Sequence, residues 1–208
     1  MTKPAALATL LMAAILSLIL VTQVFVTSAN QTDLSFGGVI WRLVRFFTIL
    51  TNLMLALAFI RMAATRRYLS VGWLAALTLW ILIVGIVYHT LLAHLENPQG
   101  LGFWTDQGLH TFAPAAMALW WLAFAPKAGL RWGHAAVWLA WPLIYVIYAL
   151  VRGALDGTYP YPFVDVSELG YQGVLINAIG LCAAFYVSGL ALVALGRAMA
   201  RRADTQAI

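Results

Sequence analysis

Charge is what this sequence lacks most. Of its 208 residues, 12 are Lys or Arg and 7 are Asp or Glu, 9% in all. A soluble domain carries about a quarter charged residues, so too few are present to cover a water-facing surface. The 63% hydrophobic content and a mean hydropathy of +0.89 agree. A soluble enzyme is excluded, and so are a disordered chain and a nucleic-acid binder. Cysteine is nearly absent: Cys182 alone permits neither a disulfide framework nor a thiolate zinc site. The G-x-S-x-G elbow, H-E-x-x-H, the P-loop and the dinucleotide fingerprint are all missing. No internal repeat, low-complexity tract or long linker interrupts residues 1–208, which points to a single domain.

What is present is six long runs free of Asp, Glu, Lys and Arg. They are Ala5–Thr32, Phe46–Ile60, Tyr68–Leu95, Gln107–Pro126, Trp132–Val151 and Leu169–Gly196, with 28, 15, 28, 20, 20 and 28 residues. A helix needs about 20 apolar residues to cross the hydrocarbon core, so five runs suffice unaided. The second must take Arg45, with Arg42 or Arg61, into the membrane boundary. Ionisable groups placed there are costly and usually face a bundle interior. The runs lack the two-residue alternation of barrel strands and exceed their length. With no water to satisfy the backbone, the expected fold is all-α. It is a bundle of six transmembrane helices near residues 5–27, 40–62, 69–92, 108–125, 133–152 and 172–196.

The basic residues orient the bundle. Six helices place both termini on one side, together with Lys3, Arg61, Arg66, Arg67, Lys127, Arg131, Arg197, Arg201 and Arg202, nine of the twelve. The other side holds six of the seven acids: Asp33, Glu96, Asp106, Asp156, Asp165 and Glu168. The positive-inside rule then predicts cytoplasmic termini and a multi-pass protein of the cell membrane. Residues 1–29 resemble a signal peptide in Lys3 and in Thr27-Ser28-Ala29. Their apolar stretch outruns an h-region of about 7–15 residues, so a retained helix is expected.

Polar side chains within the runs gather towards the outer side. At about 100° per residue, Arg45, Thr48 and Asn52 share an arc of about 60° on helix two, with Thr51 on its flank. On helix five, Trp141, Tyr145, Tyr148 and Arg152 share an arc of the same width, about 60°. His89 stands near the outer end of helix three, His110 near the outer start of helix four and Asn177 early in helix six. These residues are expected to converge on one polar pocket. Each also has a structural use: threonine bonding to a carbonyl one turn back, arginine snorkelling, asparagine joining helices. His89 and His94 lie about 140° apart around a helix, a poor ligand pair, and no metal or cofactor is expected.

Three stretches carry a resemblance: Arg45-Phe-Phe-Thr-Ile-Leu-Thr-Asn-Leu53, Gly108-Leu-His-Thr111 and Tyr159-Pro-Tyr-Pro-Phe-Val-Asp165. In these, and in helix number and motif order over nearly the whole chain, the sequence resembles the androgen-induced and androgen-dependent membrane protein family, in particular its six-helix bacterial branch. Animal members are atypical threonine hydrolases that cleave fatty acid esters of hydroxy fatty acids. They require a threonine in an aromatic-x-Thr stretch of helix two and a histidine followed by threonine on helix four. By motif these positions are Thr48 and His110. Two positions depart from the animal pattern: Thr51 stands where an acid is usual, and Gln107 where a further histidine is usual.

A hydrolase of this kind would use His110 as base for Thr48. Arg45 or Asn52 would stabilise the oxyanion, and Asp106 or Asp165 would orient the imidazole. Thr51, His89, Tyr145, Tyr148, Arg152 and Asn177 would line the pocket. The expected partner is a membrane lipid or acyl ester. Two other classes use the same residues differently: a non-catalytic membrane protein that binds lipid or a partner, and a small transporter. The transporter lacks support from acids within the runs or from an inverted repeat.

Overall fold

The computed structural model describes residues 1–95 and 97–206. Glu96, counted above among the outer-side acids, lies outside the described residues. All regular structure among the described residues is helical. The chain packs as two compact units, Met1–Pro126 and a second beginning at Lys127.

In the first unit, α1 (Lys3–Asn30) opens on Thr2, whose Oγ1 accepts from the Ala5 N–H, and on Pro4 in the first turn. Pro costs little there, because that N–H has no helical partner in any case. Next come α2 (Phe36–Leu43), capped by Ser35, then α3 (Phe47–Thr65) and α4 (Val71–Val87), capped by Ser70. α4 runs directly into a π turn, Tyr88–Leu92. α5 (Leu101–Gln107), a second π turn (Gly108–Phe112) and α6 (Ala113–Phe124) then follow without a break. α1 packs along α3, and α4 along α6. Leu16, Leu55, Phe59, Ile81, Met117 and Trp121 fill the centre, with the Phe59 and Trp120 rings edge to face at 4.9 Å.

The outward-facing surface is inverted relative to a water-soluble protein. Leu18 is 65% and Phe25 66% exposed, while Thr48, Thr51 and Asn52 are buried. An apolar exterior with the few polar groups held inside suits a bilayer, where exposed hydrocarbon costs nothing and polar groups must find partners.

In the second unit, α7 (His134–Val137) leads through a turn into α8 (Ala140–Asp156). A 3₁₀ turn (Pro162–Val164) then precedes α9 (Val166–Gln206), which breaks at Gly170, where φ is +63°. Arg197 of α9 donates to the Leu130 carbonyl at 3.0 Å and lies over the Trp132 ring.

Among the described residues, five helices are long and apolar enough to cross a membrane: Lys3–Asn30, Phe47–Thr65, Val71–Leu92, His134–Asp156 and Val166–Ala203. The remaining run, Gln107–Pro126, holds the last residue of α5, the π turn and α6, and none of these elements reaches membrane length alone.

The largest local departure from the sequence expectation is at 40–62, which forms two helices rather than one. Arg45 and Phe46 donate three residues back, to Arg42 and Leu43, and Phe46 adopts an extended φ/ψ of −91°/132°. α2 buries Val39 and Leu43 and exposes Phe36 and Trp41, the pattern of a helix lying along a boundary. Arg45 therefore sits in the turn that connects α2 to α3.

Candidate functional site

Thr48 lies in the first turn of α3, and His110 in the π turn between α5 and α6. The structure brings them together: His110 Nε2 stands 3.3 Å from Thr48 Oγ1. The opposite ring nitrogen, Nδ1, lies 3.0 Å from Asp106 Oδ1 and 3.1 Å from the Asp106 carbonyl oxygen. A backbone carbonyl can only accept, so Nδ1 carries the proton. In the neutral ring, Nε2 then presents a lone pair to the threonine hydroxyl. Asp106 and His110 are one turn apart on the same helical stretch, which is why the acid reaches its own histidine.

The second carboxylate oxygen is also held. Tyr88, first residue of the other π turn, donates its hydroxyl to Asp106 Oδ2 at 2.5 Å. Its ring lies parallel to the His110 imidazole, with centroids 3.8 Å apart and planes 10° from each other. Tyr88, Asp106, His110 and Thr48 thus form one continuous chain of hydrogen bonds, drawn from three helical stretches of the first unit.

Asn52, fully buried one turn below Thr48, donates Nδ2 to the Thr48 carbonyl at 2.9 Å and to the Leu109 carbonyl at 3.4 Å. It therefore ties the backbone of Thr48 to that of the residue before His110, an orienting position. Its Oδ1 is buried without a hydrogen-bond partner. Thr51 is buried on α3 three residues from Thr48.

His89 forms a second, exposed arrangement. Its Nε2 lies 3.0 Å from Thr111 Oγ1, and Thr111 donates to Gln107 Oε1 at 2.8 Å. The two π turns thus face each other twice, Tyr88 with His110 and His89 with Thr111. A π turn inserts an extra residue into the helix and re-aims its neighbours, and such turns concentrate at functional positions. Here adjacent residues, His110 and Thr111, reach different partners.

Tyr145, Tyr148, Arg152, Asp165 and Asn177 belong to the second unit. Arg152 is 3% exposed; it donates from Nη1 to Tyr148 Oη at 2.8 Å and lies 3.5 Å from Asp156 Oδ2. The Tyr145 ring neighbours Tyr148 and Tyr161. Asn177 donates to the Phe163 carbonyl at 3.1 Å. Asp165 accepts from the Ser167 N–H and hydroxyl and so caps the start of α9. Of the two acids considered for His110, Asp106 is the one at hydrogen-bond distance.

Sequence reasoning missed Tyr88. The available signal was a tyrosine three residues after Gly85 and beside His89, near the polar end of an otherwise apolar run. Among the described residues, no three His, Cys, Asp or Glu side chains gather as a metal-ligand set. No protein-family model matches the chain, and no curated protein or solved structure shows detectable similarity to it.

Proposed function

We propose that the protein is an intramembrane threonine hydrolase of long-chain acyl ester lipids. In this reading six helices span the cell membrane with both termini in the cytoplasm, and the site opens near the outer leaflet. The observation that carries the chemistry is the 3.3 Å approach of His110 Nε2 to Thr48 Oγ1, with Nδ1 committed to Asp106. A threonine hydroxyl is a weak nucleophile until an adjacent base takes its proton, and a base held by a third group is the recurring solution. The motif resemblance selects the same two residues.

In the proposed reaction, the Thr48 hydroxyl gives its proton to His110 Nε2 while Oγ1 attacks the ester carbonyl. Asp106 stabilises the imidazolium that forms. The tetrahedral intermediate collapses, His110 protonates the departing alcohol, and Thr48 is left acylated. Water then repeats the sequence: His110 takes its proton, its oxygen attacks the acyl carbon, and Thr48 leaves, recovering the proton as the fatty acid departs. Both Asn52 contacts engage Nδ2 with carbonyls, so the oxyanion is assigned to other donors. Phe46 offers no side-chain cap to α3, and first-turn N–H groups such as those of Thr48 and Ile49 precede the helix's own hydrogen-bond ladder. One such donor contributes about 3–4 kcal/mol in acyl transfer. The apolar surroundings suit an acyl chain.

Labelling of purified protein with a fluorophosphonate probe tests the assignment. Wild type is expected to react, and Thr48→Ala and His110→Ala are not. Equal labelling of all three would remove the basis for the hydrolase.

A further inference from the structure

We propose that Tyr88 is a positioning residue of this site, holding Asp106 and His110 as one rigid unit in front of Thr48. Its kinetic consequences rest on the hydrolase reading; its effect on the imidazole does not. A carboxylate held through one oxygen can still rotate about its last torsion, and an imidazole held through one nitrogen can still swing about that bond. Tyr88 restricts both motions. Its hydroxyl takes Asp106 Oδ2, leaving Oδ1 directed at His110 Nδ1. Its ring covers one face of the imidazole at 3.8 Å, so that the edge bearing Nε2 stays turned towards Thr48.

Tyr88 comes from a different helical stretch than its two partners. Asp106 and His110 lie on one stretch, α5 and its π turn, whereas Tyr88 arrives from the end of α4. The contact therefore sets the histidine relative to a separate helix. Tyr88 is buried, and Gly85 lies one turn before it. A Cβ at Gly85 would stand 3.1 Å from the His110 carbonyl oxygen and from the Pro114 ring. The missing side chain admits the close approach that the stacked rings require.

The test separates the ring from the hydroxyl. Tyr88→Phe keeps the stack and loses the hydrogen bond, and Tyr88→Leu loses both. Two measurements are made on the full chain in detergent micelles, each checked against thermal unfolding. The first is the far-downfield NMR resonance of the His110 Nδ1 proton, assigned by its disappearance in His110→Ala. Tyr88→Phe is expected to move it, because the other oxygen of Asp106 has lost its donor. The second is turnover of a long-chain acyl ester. Tyr88→Phe is expected to lower kcat about tenfold, the rate equivalent of one hydrogen bond, with KM within twofold. Tyr88→Leu should lower kcat about a hundredfold, as misplacement of a catalytic group does. An unmoved resonance in Tyr88→Phe, with kcat within twofold of wild type in both variants, overturns the proposal. If wild type turns over no faster than Thr48→Ala, the hydrolase reading fails by itself, and the resonance still decides the role of Tyr88.

Discussion

A Cβ built on Gly85 would lie 3.1 Å from the carbonyl oxygen of His110. The same atom would lie 3.1 Å from Cβ and Cγ of Pro114, so α4 and the π turn of His110 meet with no side chain between them. Replacing an interior helical glycine by alanine ordinarily stabilises a helix by about 0.5–1 kcal/mol. Here the alanine would press on a backbone carbonyl and a proline ring, neither of which can rotate away. Gly85→Ala is therefore expected to lose about 1–2 kcal/mol, as overpacked cores do, and to slow fluorophosphonate labelling of Thr48. Thermal unfolding in detergent decides the sign; a gain in stability would mean that the two elements are not in tight contact.

Asn52 spans the same junction from the other side. Asn52→Leu removes the donor to two carbonyls, Thr48 and Leu109, in buried surroundings. Leaving a buried acceptor unpaired costs about 1–3 kcal/mol. The change also removes Oδ1, a buried acceptor that has no partner already, and this offsets part of the loss. A net destabilisation of about 1–2 kcal/mol follows, with labelling of Thr48 reduced because its backbone is no longer tied to that of Leu109. Unchanged stability would show that the amide contributes nothing to the junction.

How much of this was legible in the sequence depends on the length scale. The absence of charge over whole runs survives any local rearrangement, so the long apolar helices could be read directly. Thr48 and Asn52 sit one turn apart on an unbroken stretch of α3, and helical spacing placed them together correctly. Arg45 was grouped with them by the same arithmetic, but the extended backbone at Phe46 takes it off the helix. Nothing in Val44-Arg45-Phe46 announces that break, since neither proline nor glycine is involved. The π turns were invisible for a related reason. An inserted residue shifts every later position by about 100°, so counting along Gln107–Pro126 cannot predict which of His110 and Thr111 faces α3. The partnership of Tyr88 with Asp106 joins residues 18 positions apart and depends on how α4 meets α5, information that periodicity does not contain.

Asp106 fixes the tautomer of His110 through Nδ1. Two donors, the Tyr88 hydroxyl and the His110 Nδ1–H, converge on its two oxygens. Asp106→Asn leaves one acceptor oxygen for both. If the amide turns its NH2 towards His110, the imidazole must accept at Nδ1 and carry its proton on Nε2, where it can no longer receive the Thr48 proton. Labelling of Thr48 should fall by up to about 10⁴-fold, the drop seen when the orienting acid of a Ser-His-Asp triad is amidated. A rate within threefold of wild type would remove Asp106 from the mechanism.

In the second unit, Gly153 makes a closer contact still. A Cβ there would fall 2.2 Å from Cε1 of the Tyr159 ring, which therefore lies directly on the α8 backbone. Gly153→Ala must displace the ring, and a loss of about 1–3 kcal/mol is expected. In Tyr159→Ala the obstruction is gone, and adding Gly153→Ala to that background should cost little, since residues in contact couple rather than add. A double-mutant cycle by thermal unfolding checks this, and additive losses would mean that the ring does not sit on Gly153.

The proposed orientation rests on the expectation that nine of twelve basic residues share one side of a six-span bundle, and it can be tested without reference to catalysis. Cys182 is the single cysteine, so Cys182→Ala gives a silent background. Choice of the reporting positions follows from the structure. Arg66 adopts φ +52°, where a cysteine would strain the backbone, so its exposed neighbour Arg67 is the better site. Asp156 stands 3.5 Å from the buried guanidinium of Arg152, and its replacement would disturb that contact. Thr158 is exposed two residues further on and avoids that disturbance. In intact cells a membrane-impermeant maleimide is expected to label Thr158→Cys and not Arg67→Cys, with both labelled after lysis. Labelling of Arg67→Cys in intact cells would invert the topology and move the Thr48 site away from the outer leaflet.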